Sequence, residues 1–215
     1  MSLIATSCLD LERLAATPLA RDPFDHVIVP GFVREAACAK IDADFPRIEK
    51  GGSFPADTLD RGPGFDGFLA ELQDAPLRAA VEAKFGIDLT GRPTMVTLRG
   101  QSRAKDGRIH TDSDSKLMTA LIYMNSAWEA EGGRLRLLRG PDDIENYAAE
   151  VPPARGTLLM FRCSPQAYHG HKPFVGARRS IQLNWVTSAA VLKRELTRHG
   201  LSAWTKRLLG AGAAG

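Results

Sequence analysis

The stretch from Thr94 to Val186 is made of short apolar or alternating runs that turn residues separate. This texture limits the fold more than any other feature of the chain, because it is typical of β-sandwiches and β-barrels. The pattern predicts a core of seven strands: Thr94 to Arg99, Arg108 to His110, Leu117 to Met124, Arg134 to Leu138, Thr157 to Phe161, Tyr168 to Lys172 and Arg178 to Val186.

The residues before this β region predict mainly helix, with one early strand. The run His26-Val27-Ile28-Val29 ends at Pro30-Gly31, which predicts a short strand. Apolar residues between Phe65 and Phe85 recur at helical spacing, and Pro76 predicts a break or a new start within them. The glycine- and proline-rich stretch from Gly51 to Gly64 predicts a loop.

The segment from Ala189 to Leu209 predicts a closing helix with an apolar stripe and a basic face, and the tail from Gly210 to Gly215 predicts frayed chain. We therefore expect an α+β fold with a mainly β core and one domain in three parts. These parts are a helical support region at 1–93, the β core at 94–188 and the basic helix with its tail at 189–215.

Composition excludes several classes of protein. The 215 residues suffice for one domain, and 28 Lys and Arg against 25 Asp and Glu give a net charge of +3, too small to require a nucleic acid partner. No apolar run is long enough to span a membrane, and the first residues lack the basic start of a secretory signal, so we expect a cytoplasmic protein. Cys8, Cys38 and Cys163 are far apart, which favours reduced thiols over a disulfide framework.

A candidate metal site comes from three residues of the β region. His110 and Asp112 are two residues apart, so in an extended segment both side chains point to the same face. His169 follows 57 residues after Asp112, beyond an apolar strand. Two histidines and one carboxylate form the facial triad of non-haem Fe(II) sites, which leaves coordination positions open. His171 lies on the same face as His169 and is an alternative ligand.

A candidate anion site lies in the last predicted strand. One face is polar, while Arg179 lies on the opposite, mostly apolar face; the polar face carries Arg178, Ser180, Gln182 and Asn184. A guanidinium beside a hydroxyl suits a carboxylate, which it binds through two parallel hydrogen bonds. A β-bulge would put Arg179 on the polar face instead, so this alternative stays open.

The ordered set of these motifs resembles the Fe(II)- and 2-oxoglutarate-dependent dioxygenase superfamily, and within it the prolyl-4-hydroxylase-like branch. The resemblance covers about residues 94 to 187, together with the opening Pro23 to Phe32. It rests on His110-x-Asp112, Tyr123-Met124-Asn125 with Trp128, Gly132-Gly133-Arg134-Leu135-Arg136-Leu137, Gly156-Thr157-Leu158-Leu159-Met160-Phe161, His169 and Arg178-x-Ser180.

The resemblance implies a fold, an activity and a role for each site residue. The fold would be a double-stranded β-helix, a cupin-like jelly roll, with helices before and after it. His110, Asp112 and His169 would bind Fe(II). The resemblance implies that Arg178 and Ser180 bind the C5 carboxylate of 2-oxoglutarate; Tyr123 would add a hydrogen bond to it, and Leu121 would wall the cosubstrate. The number of residues between His169 and Arg178 fits the spacing seen in the family, which favours His169 over His171 as the ligand.

The reaction implied is a hydroxylation that consumes 2-oxoglutarate and O2 and yields succinate and CO2, with ascorbate as a stimulant. A binding or sensor module of the same fold is the main alternative, and intact site residues weigh against it. A zinc hydrolase would have no use for a core arginine. A nucleic acid demethylase would need a second arginine that Ile181 to Val186 does not supply.

The primary substrate and the oligomeric state are not readable from the sequence. We expect specificity to lie in the loops Gly51 to Gly64, Gly100 to Gly107 and Ser113 to Lys116, which are polar without a diagnostic motif. The resemblance allows a protein side chain, an amino acid or peptide, or a small metabolite.

Overall fold

The computed structural model describes residues 7–197, which form two antiparallel sheets with helices on one side. The strands are β1 (His26–Val29), β2 (Phe54–Pro55), β3 (Thr94–Ser102), β4 (Lys116–Tyr123), β5 (Leu135–Leu138), β6 (Tyr147–Val151), β7 (Leu158–Arg162), β8 (His169–Gly170) and β9 (Gly176–Val186). The helices are α1 (Leu11–Ala16), α2 (Glu35–Ala43), α3 (Pro63–Leu72) and α4 (Ala75–Phe85), and residues 189–197 are also helical.

The six-stranded major sheet has the order β1-β7-β4-β9-β3-β2, and the three-stranded minor sheet has the order β6-β5-β8. Strands β4 and β9 are central in the major sheet, with Leu121 opposite Gln182 and Tyr123 opposite Ser180. This two-sheet arrangement is the jelly roll that the resemblance implies. The division at residues 93 and 188 remains a prediction, although β1 and β2 from the first part join the major sheet.

Alternation along the strands separates the two faces of the major sheet. In β9, Ile181, Leu183 and Trp185 pack in one apolar cluster with residues of the helices, such as Phe68 and Leu77. A second cluster lies between the two sheets and contains Tyr123, Leu135, Leu137, Val151, Leu159 and Phe161. Because side chains alternate with period two, the other residues of β9 face the minor sheet.

The helices begin and end where local chemistry dictates. The Asp74 side chain accepts a hydrogen bond from Ala75 N (2.7 Å) at the start of α4, and Pro76 stands in the first turn, where its missing N–H costs nothing. Gly86 ends α4 with φ 58°, a left-handed conformation that glycine adopts without strain. The predicted break at Pro76 is therefore confirmed as the boundary between α3 and α4.

Several predicted elements were wrong. Arg108 to His110 is not a strand; His110 makes one isolated bridge with His169. Strand β8 covers only two residues of the predicted Tyr168 to Lys172. The predicted loop Gly51 to Gly64 contains β2, a 3₁₀ turn at Ala56–Thr58 and the start of α3.

Strand β6 was missed because it is an edge strand with little apolar pattern. Its sequence, Tyr-Ala-Ala-Glu-Val, buries only Val151 fully, so its pairing with β5 rather than its own hydrophobicity makes it a strand.

The predicted closing helix is described from residue 189 to 197, and its continuation to Leu209, like the tail from Gly210 to Gly215, lies outside the described residues. Within residues 7–197, no helix is both long and apolar enough to cross a membrane.

Candidate active site

Three side chains of the kinds that bind metal ions lie close together between the two sheets. One ligand atom from each of His110, Asp112 and His169 lies within 4.8 Å of the other two. The segment before β4 carries the first two residues, and β8 of the minor sheet carries the third. Two backbone hydrogen bonds tie the segments together, from His110 N to His169 O (3.0 Å) and from His169 N to His110 O (2.9 Å). The structure thus holds the donors together through the backbone.

Both histidines are oriented by backbone carbonyls. His110 Nδ1 lies 2.8 Å from Arg108 O, and His169 Nδ1 lies 3.0 Å from Ala167 O. A protonated Nδ1 that donates to a carbonyl leaves Nε2 with a free lone pair. This tautomer is the one that metal-binding histidines use when the other ring nitrogen donates to the protein.

The Asp112 carboxylate is held on both oxygens. Lys116 Nζ donates to Oδ1 (2.6 Å), and the Thr119 hydroxyl donates to Oδ2 (2.5 Å). Thr119 in turn accepts a hydrogen bond from Asn184 Nδ2 (2.7 Å), and Gln182 Nε2 donates to Asn184 Oδ1 (3.2 Å). A chain of hydrogen bonds between polar side chains of the major sheet therefore fixes the Asp112 carboxylate.

The local electrostatics keep Asp112 and His169 in the charge states that metal binding requires. Burial works to raise the pKa of Asp112, but Lys116, His169 and the hydrogen bonds outweigh it and lower that pKa. Burial, together with the proximity of His110, lowers the pKa of His169 to about 4. At neutral pH, Asp112 is ionised and His169 is neutral.

The triad opens into a cavity of about 210 Å³ between the sheets. Arg178, Ser180, Gln182 and Asn184 all line it, so the predicted polar face of β9 does face the interior. Leu121 lines it as well. The predicted loops contribute Ser53, Gly107 and Lys116 to the same cavity.

Arg178 is a buried cation with an aromatic neighbour. It is 6% exposed, and its Nε donates to Gly133 O (2.8 Å). The guanidinium carbon lies 5.3 Å from the centre of the Tyr123 ring. The Tyr123 hydroxyl is buried and has no hydrogen-bond partner within residues 7–197. Burial raises the pKa of Tyr123, and the Arg178 cation partly offsets this. Arg178 and Tyr123 together fit an anionic guest that accepts hydrogen bonds.

The two alternatives that the sequence left open are separated in space. Arg179 points away from the cavity, 46% exposed, with Asp42 at 4.0 Å and the Phe45 ring beneath it. His171 lines the cavity but is not part of the three-donor group. Burial and the Arg178 charge lower the pKa of His171 to about 4.

Comparison with known proteins agrees with this geometry. Residues 100–187, which contain the triad, Tyr123 and Arg178, match the family model of the 2OG-Fe(II) oxygenase superfamily. This part of the chain is similar to that superfamily. The match supports a 2-oxoglutarate-dependent dioxygenase, with Fe(II), 2-oxoglutarate and O2 as cofactor and cosubstrates. No curated protein matches the oxygenase at a significant level of sequence similarity.

Solved structures share the fold of the oxygenase. A prolyl-4-hydroxylase from Pseudomonas putida is 20% identical, with a TM-score of 0.53 over 83% of this chain and 93% of that chain. A viral collagen prolyl hydroxylase from Paramecium Bursaria Chlorella virus-1, in complex with 2OG, is 16% identical, with a TM-score of 0.53 over 78% and 99%. HygX from Streptomyces hygroscopicus, with nickel and 2-oxoglutarate bound, is 14% identical, with a TM-score of 0.50 over 76% and 82%.

The sequence analysis missed several residues that line the cavity of the oxygenase. Arg99 lies on β3 with Met95 and Thr97 on the same face, and Lys116 and Thr119 flank Asp112. Period two along β3 could have indicated Arg99, whereas the contacts of Lys116 depend on how the loop before β4 folds back.

Proposed function

We propose that the oxygenase is a hydroxylase that couples the decarboxylation of 2-oxoglutarate to the hydroxylation of a C–H bond in a protein side chain, amino acid or small metabolite. The observation that carries the proposal is the three-donor group of His110, Asp112 and His169 in one cavity with the buried Arg178. A catalytic mononuclear site needs both parts, since the metal requires open positions and the cosubstrate requires an anion partner.

The donor set fits Fe(II). Two imidazole nitrogens and one carboxylate oxygen are ligands that a non-haem Fe(II) site uses, and His110, Asp112 and His169 would hold the metal. When bound, Fe(II) would supply the oxidative chemistry that converts 2-oxoglutarate, O2 and a substrate C–H bond to succinate, CO2 and a hydroxylated product.

The remaining side chains orient and shield the reactants. Lys116 and Thr119 fix the direction of the Asp112 carboxylate and would orient it as a metal ligand. Arg178 would bind the C5 carboxylate of 2-oxoglutarate with Ser180 and the unpartnered Tyr123 hydroxyl. Leu121 would exclude water beside the cosubstrate.

Two structural neighbours are named as prolyl hydroxylases, which favours a proline-containing peptide as the first substrate to test. We also propose the cytoplasm as the compartment, because Cys8, Cys38 and Cys163 are all free thiols, as a reducing compartment would keep them.

The test is succinate formation by the wild-type protein, by His110→Ala and by Asp112→Ala, in the presence of Fe(II), 2-oxoglutarate and O2. Asp114→Ala is the matched control, because Asp114 is an exposed carboxylate in the same loop. We expect turnover to be lost in both site variants and kept in the control, with circular dichroism unchanged in all. Wild-type turnover in either site variant would contradict the proposed metal site. Binding of 2-oxoglutarate without any turnover, across a panel of peptides, would instead favour the sensor module.

A further inference from the structure

Two arginines line the cavity at different depths. Arg178 is 6% exposed, whereas the side chain of Arg99 is 38% exposed. They lie on neighbouring strands, with Arg99 directly opposite Ser180 in the β3–β9 pairing. Arg99 is therefore the outer of the two cations, and a molecule that enters after the cosubstrate meets it.

Arg99 is only loosely paired inside the protein. The structure places its Nη1 atom 3.7 Å from Asp106 Oδ2. That carboxylate is already held by Arg103, through its backbone N–H (2.9 Å), Nη2 (3.0 Å) and Nε (3.3 Å). Asp106 thus belongs mainly to Arg103, and the Arg99 charge is left undercompensated.

Arg99 is a partly desolvated cation. Burial and the neighbouring Arg178 lower its pKa, against the opposing effect of Asp106. A guanidinium nevertheless stays protonated at neutral pH. An anion beside it would relieve both the desolvation and the repulsion between the two arginines.

The charges that line the cavity point the same way. Arg99, Lys116 and Arg178 are cationic, and Asp112 is the one carboxylate that lines the cavity within residues 7–197. Fe(II) and the 2-oxoglutarate dianion would cancel each other, so the loaded site retains two net positive charges. A neutral substrate would leave them unbalanced.

We propose that Arg99 binds a carboxylate of the primary substrate, so that the oxygenase acts on an acidic small molecule or on an acidic or C-terminal residue of a peptide. This inference rests on the proposed function and names the substrate class for that site. A carboxylate suits the planar fork of a guanidinium, and it is small enough for a cavity of about 210 Å³ that also holds 2-oxoglutarate.

The test is direct binding to protein loaded with Mn(II) and 2-oxoglutarate in the absence of O2. The probes are N-acetyl-L-amino acids, including N-acetyl-L-proline, each paired with its neutral amide, and ligand-observed NMR gives the dissociation constants. We expect the best acids to bind about tenfold or more tightly than their amides, as a charge-assisted hydrogen bond predicts. Arg99→Gln should remove this preference, and Arg99→Lys should restore part of it.

The control variant is Arg179→Gln, because Arg179 is a similar arginine outside the cavity; it should keep the preference of the wild-type protein. No preference for acids in the wild-type protein, including no binding by either series, would overturn the inference. So would a preference that survives Arg99→Gln.

The dissociation constant of 2-oxoglutarate separates the two proposals. Failure of 2-oxoglutarate to bind the Mn(II) protein would contradict the proposed function itself. A loss of 2-oxoglutarate affinity in Arg99→Gln as large as that in Arg178→Gln would assign Arg99 to the cosubstrate and overturn only the inference.

Discussion

Replacing Arg178 with Gln is the change that tests the anion site most directly. Gln keeps polar hydrogen-bonding capacity near Gly133 O, the acceptor that lies 2.8 Å from Arg178 Nε, and it removes the charge. The variant therefore isolates the interaction with the cosubstrate from the packing of the strand.

The size of the effect follows from the burial of this arginine. At 6% exposure, Arg178 has little water to replace a lost partner, so a carboxylate of 2-oxoglutarate would lose a charge-assisted contact of about 2 to 5 kcal/mol. At 1.4 kcal/mol for each factor of ten, this is a loss in affinity of roughly 30-fold to more than 1,000-fold. We expect the loss to fall on the Michaelis constant of 2-oxoglutarate more than on kcat.

The assay is succinate formation over a range of 2-oxoglutarate concentrations, with calorimetric titration of 2-oxoglutarate into the Mn(II) protein as a check on binding alone. Arg179→Gln is the matched control. Its guanidinium is 46% exposed and lies 4.0 Å from Asp42, and a surface pair of this kind is worth about 0 to 1 kcal/mol. We expect less than about a threefold change in the Michaelis constant for the control. A large effect of Arg179→Gln with a small effect of Arg178→Gln would refute the choice of strand face.

Three further outcomes test the site and its support. Thr119→Val should lower metal affinity about tenfold or more and stability by about 1 to 3 kcal/mol, measured by metal titration and urea unfolding, because Asp112 loses a buried donor. Burial lowers the pKa values of His169 and His171 to about 4, so these histidines take up protons in the unfolded chain at a higher pH than in the folded protein. The stability of the metal-free protein should therefore fall as the pH decreases from about 6.5 towards 4, by up to about 3 kcal/mol for each histidine. Thermal unfolding measures this change. An unchanged stability at pH 4.5 would contradict the buried neutral state. Truncation after Ser188 should lower the melting temperature, because the helix at 189–197 borders α3 and β3; an unchanged melting temperature would show that it contributes no packing.

Periodicity in the sequence was sufficient for strands β3, β4, β5, β7 and β9 and for the polar face of β9. Ile181, Leu183 and Trp185 alternate with Arg178, Ser180 and other polar residues, and a strand can bury only one such set against the helices. The ordered motifs around His110 and His169 were likewise sufficient for the resemblance to the 2OG-Fe(II) oxygenase superfamily. These patterns can be recognised along the chain without knowing which strands pair.

Other features depended on tertiary pairing. Strand β6 buries only Val151 fully and is a strand because β5 pairs with it. His110 is held by a bridge to His169 rather than by a strand of its own. The partners of Asp112, namely Lys116 and Thr119, are chosen by a loop that folds back onto β4, and the exposure of Arg99 depends on the edge at which the cavity opens. Such contacts depend on backbone geometry and on the exclusion of solvent. The periodicity of apolar residues along the chain does not predict them. The sequence therefore determined which chemical groups are present and which strand faces they share, whereas only the packing of the two sheets decided how deeply each charge lies and which partner it meets.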